Sequence, residues 1–320
     1  MNILVTGGLG FIGSHLTEQL LAEGFQVCVI DQDNTDSVMN QFKRSANFNF
    51  VHGKVEDEAV MEKWVGWADV VFHLAASLSV KRCVEEPDFI INGNLIPAQV
   101  VLNKALKFKK KVVFASTSEV YGKSEAIPYQ EDGDRLLGAT CTHRWCYATV
   151  KALEEHMFLA AAKKGLPVTI LRYFNAYGPR AKSGLYGGVI PIFITAALRN
   201  SPLYVHGDGL QSRCFTYVKD TVAATRFAVN HTCNGEVINV GSANEMSILQ
   251  LAKVIIDLTN SKSEIQFTPY KEVYESGFED MKKRIPCTKK MEQLLHYHAQ
   301  TPLKEGLTET IDYYRLLLGS

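Results

Sequence analysis

Apolar positions along this chain fall into short continuous runs that alternate with longer stripes at helical spacing. Residues 2–6, "NILVT", form a β-rich run; the turn "GGLGFIG" follows, and then "SHLTEQLLAEG" reads as a helix stopped by Gly24. "QVCVI" is a second strand that ends at Asp31. This is a β-α-β unit within about thirty residues, the connection a parallel pair requires. The alternation continues. "FNFVHG", "DVVFHLAA", "KKVVFAST" and "PVTILRYFN" read as strands, and "DEAVMEKWV", "IPAQVVLNKALKF" and "CYATVKALEEHMFLAAAKKG" as helices.

The pattern predicts an α/β fold: a Rossmann-type doubly wound parallel sheet, followed by a smaller C-terminal lobe. In the second half "AYGPRAKSGLYGG" reads as a Gly-rich loop, "PLYVHG" and "RCFTYV" as short strands, and "VIPIFITAALRN", "KDTVAATRFAVNH", "SILQLAKVIIDLT" and "LKEGLTETIDYYRLLL" as helices. "GEVINVG" is positioned to return a strand to the main sheet, so the boundary near residue 175 is soft.

Composition narrows the function. With 34 basic and 34 acidic residues among 320, no net charge draws the chain to nucleic acid. No apolar run reads as a membrane span, and the start of the chain has no charged leader or cleavage site, so a cytoplasmic protein is expected. Seven scattered cysteines without a CxxC are expected to be reduced, and no metal-ligand spacing is found.

Candidate chemistry concentrates at the strand ends. Gly7, Gly10 and Gly13 form G-x-x-G-x-x-G between the first strand and helix. Glycine lets a pyrophosphate approach the backbone, and the helix start offers free N–H groups to it. Asp31 is placed to accept hydrogen bonds from a ribose diol and to repel the extra phosphate of NADP, so NAD is the expected cofactor. Phe11 and Ile12 would support it by packing. Leu74, Ala75 and Ala76 end another strand, and Ser116 and Thr117 the next; small residues there leave room for a cofactor stretched across the sheet edge. Tyr147 and Lys151 stand four apart on one helical face. The lysine can lower the phenol's proton affinity, and the phenol can take a proton from an alcohol as hydride leaves the same carbon. Glu119 is either a group facing substrate or a carboxylate accepting local backbone N–H bonds.

The motifs "TGGLGFIG", "HLAA", "ASTSEVYG", "YATVK", "LRYFNAYGPR", "GDGLQSRCFTYVKD" and "INVG" together closely resemble the extended short-chain dehydrogenase/reductase family, in its nucleotide-sugar branch. The resemblance spans nearly the whole chain. It implies an NAD-binding domain over residues 1–175, carrying the Tyr/Lys helix, and a mainly nucleotide-sugar-binding lobe over 176–320. It implies Thr117, Tyr147 and Lys151 as the catalytic group, with Glu119 beside them. Asn94 would orient the Tyr147–Lys151 network, and Tyr173 would join the cofactor site. Ser118 and Asn175 would bind substrate, and Arg213 and Arg284 would clamp its phosphates or its sugar end. The expected substrate is a UDP-sugar, and the expected assembly a homodimer through the segment 94–107 and the Tyr147 helix.

Two departures from the family pattern matter. Lys54 stands where an acid is common, which shifts adenine contacts toward Val55. Ser118 stands where 4,6-dehydratases carry Asp, which disfavours dehydration. "STSEVYG", "RWCY", the arginine of "QSRCFT" and "GFEDMKKRIP" resemble decarboxylases acting on UDP-glucuronate, whereas "AASLSVKRCVEEP" resembles 4-epimerases. Both reactions begin by oxidising C4 of the sugar. The expectation leans to decarboxylation, with the 4-epimerase second and a 4,6-dehydratase or an inactive nucleotide-binding protein behind both.

Overall fold

The protein is described by a computed structural model over residues 1–33, 36–78, 80–183, 188–269 and 281–319. The elements of the first half are β1 (Asn2–Thr6), α1 (Phe11–Ala22), β2 (Gln26–Asp31), α2 (Asp36–Phe42), β3 (Phe48–His52), α3 (Glu58–Trp67), β4 (Val70–His73), α4 (Val80–Glu85), α5 (Pro87–Phe108), β5 (Lys111–Thr117), α6 (Cys146–Ala162) and β6 (Val168–Tyr173). Then come β7 (Ala176–Tyr177), α7 (Val189–Leu198), β8 (Leu203–His206), β9 (Ser212–Cys214), β10 (Thr216–Tyr217), α8 (Val218–Phe227), β11 (Glu236–Val240), β12 (Glu245–Ser247), α9 (Ile248–Thr259), β13 (Ile265–Thr268) and β14 (Lys283–Arg284). Two helices, Lys289–Leu295 and Leu303–Leu318, close the chain.

Seven strands make one parallel sheet in the order β11-β6-β5-β4-β1-β2-β3. Its central strands β1, β4 and β5 read as largely apolar runs because both faces are covered. Along β1, Ile3 and Val5 enter the core on one face while Leu4 enters the core on the other. The order reverses at β1, between β2 and β4, and in open α/β sheets ligands bind at the carboxyl ends of the strands beside such a reversal. The strand "GEVINVG" does return to the sheet, as β11 beside β6. No helix among the described residues is long and apolar enough to cross a membrane.

Some elements differ from the periodicity reading. The helix expected from residue 96 begins at Pro87, where proline suits the first helical turn. "RCFTYV" is divided into β9 and β10, which join different sheets. The segment "GFEDMKKRIP" lies partly outside the described residues.

A buried ion pair fixes α6 against the sheet. Glu155 receives Arg172 of β6 in a two-point contact, Nε–Oε1 at 3.0 Å and Nη2–Oε2 at 2.7 Å, and accepts the Ser116 hydroxyl of β5 as well. Arg172 Nη1 donates to the Tyr121 hydroxyl at 2.8 Å and the Glu131 carbonyl at 2.9 Å. Removing one partner strands the other charge in the interior, which costs about 3 kcal/mol or more. Glu155→Ala is therefore expected to lower unfolding free energy by about that amount in urea titrations; a loss below about 1 kcal/mol would contradict the reading.

Candidate active site

The glycine turn is forced by close packing. Gly7 has φ +71°, and a Cβ there would stand 2.8 Å from backbone atoms of Ala75. A Cβ on Gly13 would stand 2.1 Å from the Gly7 carbonyl oxygen. The turn therefore locks against the exit of β4, and Gly10 begins α1 with no side chain capping its first N–H groups. Asp31 accepts the Leu9 N–H at 2.9 Å and the Asp33 N–H at 3.1 Å, so it braces the turn from the end of β2. Burial raises its proton affinity, and those two N–H bonds oppose the rise. Arg180 binds Glu18 on α1 at 2.7 Å. Lys182 meets Asp33 at 3.3 Å. Lys54 is exposed and Val55 buried.

Next to the turn, β5 ends in Thr117 and a 3-10 turn over Ser118–Tyr121 carries the chain away. The Thr117 hydroxyl accepts the Glu119 N–H at 3.2 Å and hydrogen-bonds the Tyr147 phenol. Burial, then the negative charges of Glu154 and Glu119, push that phenol well above its ordinary range, and the Thr117 bond opposes them. Lys151 is buried, 4.1 Å above the Phe114 ring, and pairs with Glu154 at 2.7 Å.

Glu119 is gripped by two guanidiniums: Arg144 at 2.8 Å and Arg284 at 2.7 Å. Burial alone would push its carboxyl up, but the two arginines outweigh this and hold it at about 2. Arg284 lies in register with Arg213, which β9 presents from the neighbouring strand. Arg284 Nη1 reaches Ser118 Oγ and Asn175 Oδ1 only at 3.5 Å, and its Nε is buried without an acceptor. Asn175, at φ +38°, also donates to the Cys214 carbonyl at 3.1 Å.

Other expected site residues have hydrogen-bond partners within the protein. Asn94 donates to the Ser77 carbonyl at 2.7 Å and the Ile90 carbonyl at 2.6 Å and accepts the Ser77 N–H at 3.2 Å, so its amide shapes the loop beyond Leu74–Ala76. Ser116 gives its hydroxyl to Glu155. The Tyr173 hydroxyl meets Thr225 at 2.8 Å. Arg144 was missed as a site residue. Its signal was its place three residues before Tyr147 in "RWCY", and its burial at 3% exposure marks it as a paired cation.

Residues 3–241 match the family described as NAD dependent epimerase/dehydratase. The UDP-N-acetyl-alpha-D-glucosaminuronate decarboxylase of Bacillus cytotoxicus is 47% identical over 312 residues, 98% of this chain and 97% of the relative. UDP-glucuronic acid decarboxylase 1 of Danio rerio is 34% identical over 315 residues, 98% of this chain and 72% of its own. The UDP-glucuronic acid 4-epimerase of Bacillus cereus, solved with UDP-glucuronic acid and NAD, superposes with a TM-score of 0.88 at 29% identity, over 99% of this chain and all of that one.

The chain belongs to the NAD dependent epimerase/dehydratase family. It is an NAD-dependent enzyme, and its turn fits that cofactor. The uncapped start of α1 offers N–H groups to a diphosphate, and the absence of Cβ atoms at Gly7 and Gly13 lets the turn close on β4. Asp31 keeps carboxylate lone pairs at the end of β2, where this fold receives a ribose.

The Glu119 clamp makes a pH prediction. A carboxyl held at about 2 in the folded protein stabilises it above its ordinary range near 4.5 and loses that contribution as pH falls toward 2. The stability advantage over Glu119→Gln, about 3 kcal/mol at neutral pH, should shrink through that window in urea titrations. An advantage that stays constant down to pH 2.5 would contradict the clamp.

Proposed function

We propose that this enzyme decarboxylates a UDP-linked hexuronate through a 4-keto intermediate, and that UDP-N-acetylglucosaminuronate is the substrate to try first. The observation that carries the reading is Arg284, whose guanidinium shares Glu119, keeps one buried N–H without an acceptor, and stands in register with Arg213. Planar guanidinium forks suit a sugar carboxylate, though Arg213 is equally suited to the diphosphate. The relative at 47% identity, matched over nearly its full length, acts by its name on an N-acetylated uronate, which favours that sugar.

Thr117 and Tyr147 hold the C4 hydroxyl, and Tyr147 takes its proton. When bound, NAD would supply the acceptor for the C4 hydride and the means to return it, its nicotinamide ring carrying the positive charge. The 4-keto uronate is a β-keto acid. As the C5–C6 bond breaks, its electron pair passes to the C4 oxygen and carbon dioxide leaves. Negative charge thus moves away from the end near Glu119 and toward the Thr117 and Tyr147 hydroxyls, which stabilise it there. A proton is then added at C5 before C4 is reduced. Asn175 and Ser118 orient the substrate beside Arg284.

A homodimer and a cytoplasmic setting complete the reading. Ile96 on α5 and Leu153 on α6 are both exposed, on two helices that pack side by side.

The test is product analysis. With NAD and UDP-N-acetylglucosaminuronate, the product is expected to be lighter by carbon dioxide, and Tyr147→Phe to reduce turnover at least 100-fold. UDP-glucuronate is run in parallel to rank the two sugars. A product of unchanged mass with C4 inverted would replace this reading by the 4-epimerase, a reaction named for relatives of the same fold.

A further inference from the structure

Lys151 and Glu154 form an ion pair that is closed off from solvent. Their side chains are 2% and 1% exposed and their charged atoms are 2.7 Å apart, three residues along α6. Lys151, meeting Glu154 Oε2, is the carboxylate's one partner among the described residues. The neighbouring Glu155, by contrast, is fully occupied by Arg172 and Ser116. A buried carboxylate with a single partner costs stability relative to an apolar residue. Packing therefore gives no reason for Glu154, and its position beside the Tyr147–Lys151 couple does.

We propose that Glu154 is a positioning residue that holds the Lys151 ammonium and thereby governs the pH at which Tyr147 becomes a base. This inference rests on the assignment of Tyr147 as the base. With Glu154 ionised, the couple loses a proton against a fixed negative charge; without it, the ammonium alone offsets the phenolate. Glu154 therefore keeps the phenol protonated until a positively charged nicotinamide ring is in place, and it steadies Lys151 over Phe114 meanwhile.

The other groups facing the couple have defined states. His73 of β4 is buried and bonded to Thr6, and desolvation and Lys151 hold it neutral, lowered to about 3. Glu119 of the 3-10 turn is ionised between Arg144 and Arg284. Cys83 of α4, in contact with Cys146 of α6, is held as a thiol. From α5 the neutral Asn94 faces the loop after β4, and Arg172 of β6 is taken up by Glu155. Glu154 is thus the charged group in contact with Lys151 whose removal changes the couple without breaking the Glu119 or Glu155 clamps.

The experiment uses the NAD-loaded enzyme. The pH dependence of kcat/KM on UDP-N-acetylglucosaminuronate is measured for wild type, Glu154→Gln and Glu154→Asp. Tyrosinate absorbance is titrated in the same proteins, each against its counterpart also carrying Tyr147→Phe. Glu154→Gln is expected to move the acid limb and the Tyr147 titration to lower pH by about one unit or more, and Glu154→Asp to keep both near wild type. A Glu154→Gln enzyme with reduced rate but an unmoved limb and titration would overturn the inference and leave Glu154 structural. If Glu154→Gln does not fold, wild-type-like titration in Glu154→Asp supports the inference, and a shift to lower pH there defeats it. Full activity in Tyr147→Phe would instead remove the assignment of the base, which separates that failure from this one.

Discussion

Glu119 between Arg144 and Arg284 is the interaction on which the site depends. Its three members come from distant parts of the chain: the exit of β5, the approach to α6, and β14. Ionised carboxylate and guanidiniums are each costly to bury alone, so the three segments are stable there only together. Thr117 stands two residues from the clamp, and the pairing of β14 with β9 sets Arg284 in register with Arg213. The same contact ties β14 to the exit of β5, and under the proposed function a sugar would rest beside it.

A second pair of charges fixes the chemistry behind that floor. Glu155 and Arg172 tie α6 to β5 and β6, so the face bearing Tyr147 and Lys151 cannot rotate away from Thr117. The glycine turn, packed on Ala75, sets the opposite wall. Rigid elements hold each reacting group, and the strands' common direction gathers them at one edge.

Much of this was legible in the sequence because the signals are local. The glycine turn with Asp31, and Tyr147 with Lys151, are each encoded within one β-α-β unit or one helical turn. The doubly wound sheet followed from alternation of apolar runs. What could not be read depended on contacts between distant segments. "KALEE" contains two adjacent acids, and only packing sends Glu155 to Arg172 and Glu154 to Lys151. Arg144 reads as one more surface cation until Glu119 is found opposite it. Asn94 hydrogen-bonds Ser77 and Ile90, contacts that its place in the sequence did not reveal. The short helices α2 and α4 gave too few turns for a periodic stripe, and β14, two residues long, has no periodicity to detect.

The central claim is that C4 of a uronic sugar is oxidised and reduced again within one closed site while carbon dioxide leaves between the two steps. The most direct measurement follows deuterium placed at C4 of UDP-N-acetylglucosaminuronate. The account predicts that the label slows turnover and is recovered at C4 of a decarboxylated product, because a hydride held in the site does not exchange with water. Decarboxylated product whose C4 label has been replaced by solvent hydrogen, or label retained with no change in rate under single-turnover conditions, would contradict it.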